Sequence, residues 1–142
     1  VSRRSGGGCC RHGRVRGELI DSFDGFVFLV PEYNHSFPGA LKNALDYVYR
    51  EWNDKAAGII SYGGWAAGVR AAEALRLVLA ELQVATVRAR PTISTHPSFS
   101  TGAYVPQEGI DTAVHGMLDQ VTAWSGALRG VREARTQKAM AA

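Results

Sequence analysis

Hydrophobic positions along the chain follow two periods. Gly25-Phe26-Val27-Phe28-Leu29-Val30 is a continuous apolar run with little polar alternation, the pattern of a strand buried on both faces, as in a parallel sheet covered by helices. Ala57-Gly58-Ile59-Ile60 repeats it, and Ala85-Thr86-Val87-Arg88-Ala89 supplies a third strand. Between the strands the period becomes helical. From Pro38, which suits a first helical turn because its missing N–H would be unpaired there, Leu41, Ala44, Leu45, Val48, Tyr49 and Trp52 share one face. Lys42, Asp46 and Arg50 line another face as successive i,i+4 pairs. That spacing predicts a helix of about four turns, ended by Asn53-Asp54. A second helix over 67–83 turns Ala72, Leu75, Val78, Leu79 and Leu82 inward and Arg70, Glu73 and Arg76 outward. A third, over 109–134, carries a stripe through Ile110, Met117, Val121, Trp124 and Val131. The stretch 91–108 has three prolines and no period and reads as a loop.

The order is strand-helix-strand-helix-strand-loop-helix, an α/β chain with right-handed crossovers. Ligands of such sheets bind beyond the carboxyl ends of the strands. Two loops stand there. The first is Pro31-Glu32-Tyr33-Asn34-His35-Ser36, directly after the first strand; the second is Ser61-Tyr62-Gly63-Gly64, after the next. Loops from neighbouring strands share one crevice.

The segment from Asp24 to about Arg90, with Pro-Glu-Tyr-Asn-His-Ser-Phe-Pro-Gly-Ala-Leu-Lys-Asn-Ala at 31–44 and Ser-Tyr-Gly-Gly at 61–64, resembles the NADPH-dependent FMN reductases of the flavodoxin-like group. The resemblance implies a doubly wound parallel sheet in a three-layer α/β/α arrangement. The strands here would be the third, fourth and fifth of a 2-1-3-4-5 sheet, without the first strands and the phosphate loop. It implies FMN as cofactor and NADPH or NADH as hydride donor, with Pro31, Glu32, Tyr33, Asn34 and Ser36 beside the flavin ring and Ser61, Tyr62, Gly63 and Gly64 along its pyrimidine side. No side chain is required as a general acid or base, because hydride transfer is the cofactor's chemistry. Each residue also has a plainer reading. Glu32 fits an exposed turn carboxylate, Asn34 and Ser36 fit caps of the following helix, Gly63-Gly64 fits a strand-to-helix turn, and Tyr33 and Tyr62 fit rim aromatics.

Composition bounds the rest. At 142 residues, 46% hydrophobic and 20% charged, the chain suits one globular domain. Residues 1–17 read as a disordered basic tail and 18–136 as a partial flavodoxin-like domain, with Glu18-Leu19-Ile20-Asp21 closing a helix. The net charge of +3 belongs to the tail: Arg3, Arg4, Arg11, Arg14 and Arg16 stand there with no acid, and without them eleven basic residues face thirteen acidic ones. The tail has no interleaved aromatics, so no nucleic-acid partner is expected. Ser5-Gly6-Gly7-Gly8 follows no apolar strand and is not read as a phosphate cradle. Cys9 and Cys10 have no further cysteine to pair with. His35, His96 and His115 lack the spacing of a metal site, and no G-x-S-x-G elbow marks a hydrolase. No apolar stretch has the length of a membrane span, and a cytoplasmic location is the expectation. The resemblance implies an oxidoreductase passing electrons from NAD(P)H to a flavin, quinone or other small acceptor, in a homodimer or homotetramer joined through the helix bearing Tyr47, Tyr49 and Trp52. The alternative is a non-catalytic remnant or dimerisation module that has lost FMN affinity.

Overall fold

Strand β2 (Lys55–Gly63) forms the middle of a parallel sheet in the computed structural model, which describes residues 17–141. On one side it pairs along seven residues with β1 (Gly25–Pro31). On the other it meets two short strands in succession, β3 (Val84–Thr86) against its first residues and β4 (Thr92–Ser94) against its last. The third strand expected over 85–89 is therefore shifted and broken. Pro91 offers no N–H to a ladder, and the chain bows out between Val87, whose amide reaches the Ala57 carbonyl, and Pro91, whose carbonyl accepts from Ser61. The Ala89 amide in the gap donates to the Gln120 side chain instead. The stretch expected to be loop accordingly contains β4 and a short helix, α3 (Thr95–Ser98).

The helices lie on both faces, as expected of a three-layer chain. α1 (Gly39–Leu45) and α2 (Val69–Glu81) cover the face that carries Val30, Ala57 and Ile59, packed on Leu45, Leu75 and Leu79. α4 (Ile110–Met140) covers the opposite face through Met117 and Val121. Gly58 is what lets α4 approach, because a Cβ there would lie 2.7 Å from the Met117 Sδ and 3.0 Å from a Val121 methyl.

The helix expected to run from Pro38 to Trp52 ends at Leu45. The Leu45 carbonyl accepts a hydrogen bond from the buried Trp52 indole, 3.2 Å away, while a separate 3-10 turn at Arg50–Trp52 brings that ring against Phe26 and Phe28. An unbroken helix would carry Trp52 past the core; the break puts it inside. The Lys42–Asp46 pair persists at 2.6 Å. Residues 17–21 are helical, so Gly17 belongs to the fold. Residues 1–16, which hold the expected basic tail with Ser5–Gly8, Cys9 and Cys10, lie outside the described residues.

At the amino ends of the strands, charges tie the layers together. Lys55 is 1% exposed, and its Nζ donates to the carbonyls of Ile20 at 2.7 Å and Asp21 at 3.0 Å. Burial pulls its pKa below the ordinary 10.5, and the Asp21 carboxylate opposes that. Asp24 accepts from Arg129 and Arg132 of α4. The Arg129 hydrogen bond holds the Asp24 carboxyl below its usual 3.8 against burial, with the charges of Arg129, Arg132 and Lys55 adding to the effect.

A carboxylate with a depressed native pKa contributes stability that is complete above the unfolded value of about 3.9 and is lost as pH falls through the native value. Asp24→Asn is expected to lower the urea midpoint at pH 6, and the gap from the parent should narrow below about pH 4. A gap that stays constant from pH 6 to pH 2.5 would show that Asp24 is not ionised and paired in the native state.

Candidate functional site

The two loops singled out in the sequence meet at the carboxyl ends of β1 and β2, because Pro31 is in register with Tyr62. The Glu32 amide extends the ladder by one bond, donating to the Tyr62 carbonyl at 2.9 Å. Beyond it the chain reverses at once. Tyr33 and Ser36 exchange both backbone hydrogen bonds, at 2.9 and 3.0 Å, around Asn34 and His35, whose φ values are 49° and 67°. Positive φ at both central residues is the geometry of a type I′ turn, which Asn tolerates better than other non-glycine residues. Asn34 and Ser36 are thus turn residues. The cap reading fails: the residue capping α1 is Pro38, with no side-chain hydrogen bond.

The second loop folds back over the end of its own strand. Ser61 is fully buried and its hydroxyl donates to the Ala67 carbonyl at 3.1 Å. Ala67 and Gly68 both have positive φ, and a Cβ on Gly68 would stand 2.6 Å from the Tyr62 nitrogen and 2.8 Å from its carbonyl oxygen. Gly63 is needed for a different contact, since its Cβ would lie 3.2 Å from that of Glu32 and 3.0 Å from the Gly68 nitrogen. Gly64 has room: the nearest atom to its Cβ would be His96 Nε2 at 3.6 Å. A third segment locks this loop from above. Thr95 Oγ1 donates to the Gly63 carbonyl at 3.0 Å, Ser94 Oγ to the Gly64 carbonyl at 3.1 Å, and the His96 ring stacks on Trp65 with centroids 4.5 Å apart. Trp65 is otherwise 88% exposed.

Sequence reasoning placed Glu32 at a ligand ring or on an exposed turn. Its side chain is 7% exposed and reaches across to α2, where it accepts from the Arg70 amide at 3.2 Å and from Arg70 Nε at 2.7 Å. Burial would raise its pKa, but the Arg70 hydrogen bond and charge, with the Ala71 and Arg70 amides, hold it below the ordinary 4.5. Arg70 was read as an outward residue of a helix. Its place in the first turn after a glycine loop was the available signal, because that turn faces the carboxyl edge of the sheet.

Beside the loops lies an apolar cleft of about 610 Å³, lined by Leu29, Tyr62, Ile93, Thr95, Phe99 and Tyr104. Only Tyr62 among these was singled out from the sequence. Tyr33 is exposed. The amides of Asn34 and His35 in the first turn and of Trp65 and Ala66 in the second have no acceptor among the described residues. Donors on two adjacent loops beside an apolar wall suit the edge of a flat, polar-rimmed heterocycle. Among the described residues no group of three or more His, Cys, Asp or Glu is placed to hold a metal ion, and no helix is long and apolar enough to cross a membrane.

A family model described as NADPH-dependent FMN reductase matches residues 14–97, more than half of the chain. An NAD(P)H-dependent FMN reductase of Schizosaccharomyces pombe is 51% identical over 57 residues, which make up 40% of this chain and 28% of that protein. An NADPH:quinone oxidoreductase of Arabidopsis thaliana is 36% identical over 102 residues, 70% of this chain and 48% of that protein. The matched segments thus span less than half of the length of these curated relatives. The solved structure of FerB, a flavoenzyme NAD(P)H:(acceptor) oxidoreductase from Paracoccus denitrificans, superposes with a TM-score of 0.60 at 21% identity, covering 84% of this chain and 69% of that one. At that identity the superposition shows the shared fold.

The glycines separate fold from ligand. Gly68→Ala must place a Cβ against backbone in a left-handed conformation and is expected to cost more than about 1 kcal/mol for the backbone alone. Gly64→Ala should leave stability within about 0.5 kcal/mol of the parent. Denaturant titrations of both variants check this, and equal destabilisation would show that the 63–68 loop is not folded over β2 as described.

Proposed function

The chain belongs to the NADPH-dependent FMN reductase family, and from that premise we propose that it serves as an NAD(P)H-dependent oxidoreductase. In this reading it binds FMN at the two loops and passes reducing equivalents to a flavin, quinone or other small acceptor. The observation that carries the proposal is the convergence of the 31–36 and 61–66 loops, with unpartnered main-chain donors on each, next to a cleft whose walls are apolar and aromatic. The relatives named for FMN and quinone reduction give the same class.

The residues present fit the ring of FMN better than its phosphate. The amides of Asn34 and His35 and of Trp65 and Ala66 would meet polar ring edges, with Tyr33 and Tyr62 as flanking walls. Glycine at 64 lets the backbone come close to a planar group. The dianionic phosphate would favour a helix N-terminus, but that of α2 already holds the Glu32 carboxylate. When bound, FMN supplies the acceptance of a hydride and its onward transfer. The protein's part would be orientation: the turn at 33–36 and the loop at 63–68 would hold the ring, and Phe99 and Tyr104, which line the cleft, would shield one side of it. We place the protein in the cytoplasm, and as a homodimer or homotetramer; the association is supported by the exposure of Tyr47 and Tyr49 just beyond α1.

Titration of the apo-protein with FMN and with riboflavin, followed by quenching of flavin fluorescence, tests the proposal. Both should bind, with dissociation constants within about threefold of each other, since ring contacts dominate. Each charge-assisted phosphate contact would add roughly 1.5–3 kcal/mol, so a preference for FMN above a hundredfold would reveal a phosphate site that the described residues do not contain. Absence of binding of either flavin would overturn the reading.

A further inference from the structure

Glu32 on the first loop pairs with Arg70 in the first turn of α2, and among the described residues this pairing is the only side-chain hydrogen bond joining the 31–36 segment to the rest. Past the Glu32 amide, the backbone bonds of that segment close on themselves, between Tyr33 and Ser36. Arg70 lies in the first turn of α2, where the helix dipole disfavours a cation, and no acidic residue stands in that turn. Glu32 supplies the missing anion from across the crevice. Its two oxygens are engaged by the Arg70 amide, Nε and Nη2, the last at 2.6 Å. A carboxylate held in this way, 7% exposed, has little capacity left for a ligand.

We propose that Glu32 and Arg70 are positioning residues, an ion pair that fixes the 31–36 turn against the 63–68 loop and thereby sets the spacing of the two loops that grip the flavin ring. The inference rests on the flavin reading for its effect on affinity, while the latch itself is seen in the flavin-free protein. Loss of the pair leaves the turn attached by one backbone bond and by Phe37, which packs against the core under α1. The turn then samples a range of heights above β2, and the ring is gripped only in a fraction of them.

Amide hydrogen exchange on the flavin-free protein tests the latch directly. Arg70→Gln and Glu32→Gln should each speed exchange in both 31–38 and 61–68, the double variant should exchange like either single one, and Arg70→Lys should restore part of the protection. Exchange in β3 and α4 should not change, which separates a released latch from general unfolding. Flavin titration of the same variants reads the consequence. Affinity is expected to fall about two- to thirtyfold in Arg70→Gln, the range for residues that act through others, with an altered visible circular dichroism of the bound flavin that Arg70→Lys partly recovers. Unchanged exchange in 31–38 on loss of either charge would overturn the latch. Additive effects of the two substitutions would also overturn it, because partners in one interaction must be non-additive. If Arg70→Gln does not fold, Arg70→Lys and Glu32→Gln carry the same comparison. A parent that binds no flavin would refute the proposed function while the exchange experiment still decides the latch.

Discussion

A parallel strand has to bury both faces and pair on both edges, and β2 is where this chain meets that demand. Its first five residues are all buried. Ala57 and Ile59 face α1 and α2, Gly58 and Ile60 face α4, and each edge carries parallel ladders. Gly58 keeps the α4 side flat enough for Met117 and Val121 to seat. Because β2 is long while β3 and β4 are short, the break between them falls beside it, and that break delivers Ser94, Thr95 and His96 to the loop at the end of β2. The site is thus a consequence of how one strand finds partners.

Strand β1 is less completely covered. It pairs with β2 on one edge only among the described residues, and on the α4 face Val27 and Leu29 are 44% and 65% exposed. Farther along α4, Trp124 and Val131, which share the apolar stripe with Met117 and Val121, are about half exposed. An open edge beside an apolar face is a pairing hazard in water. The opposite face of β1 shows the contrast: Phe26 and Phe28 pack against Trp52 and the core under α1 and α2.

The loops at the carboxyl edge hold their shape through local backbone conformations that few residues accept. Asn34 and His35 take positive φ in a two-residue turn, Ala67 and Gly68 take it where the second loop bends back, and Gly63 stays small so that Glu32 can pass. Left-handed backbone costs a residue with a Cβ roughly 1–2 kcal/mol, which neighbouring contacts must offset. Here those contacts include the hydroxyls of Ser61 and Thr95 and the carboxylate of Glu32. Side chains that resemble ligand contacts in the sequence therefore serve in part to hold the loops from which main-chain donors emerge.

Strands β1 and β2, the helical periods of α2 and α4 and the α/β class were legible in the sequence because they follow from hydrophobic period, and the rule that loops at strand carboxyl ends collect ligands singled out the edge where the two loops meet. The four-turn helix after Pro38 was misread for a definite reason. Period alone cannot register that the Trp52 indole is satisfied by the Leu45 carbonyl only if the helix stops. The same limit hid β4, whose three residues pair only because β2 extends past Ile60 to receive them, and it hid the aromatic wall of Phe99 and Tyr104. Glu32 was singled out in the sequence but its direction was not legible, since the Arg70 it faces is 38 residues away. Local pattern determined which segments are strand and helix and which loops share an edge; partners distant in sequence decided where helices end, which carboxylate turns inward and what lines the cleft, because those choices depend on contacts that exist only after the strands have paired.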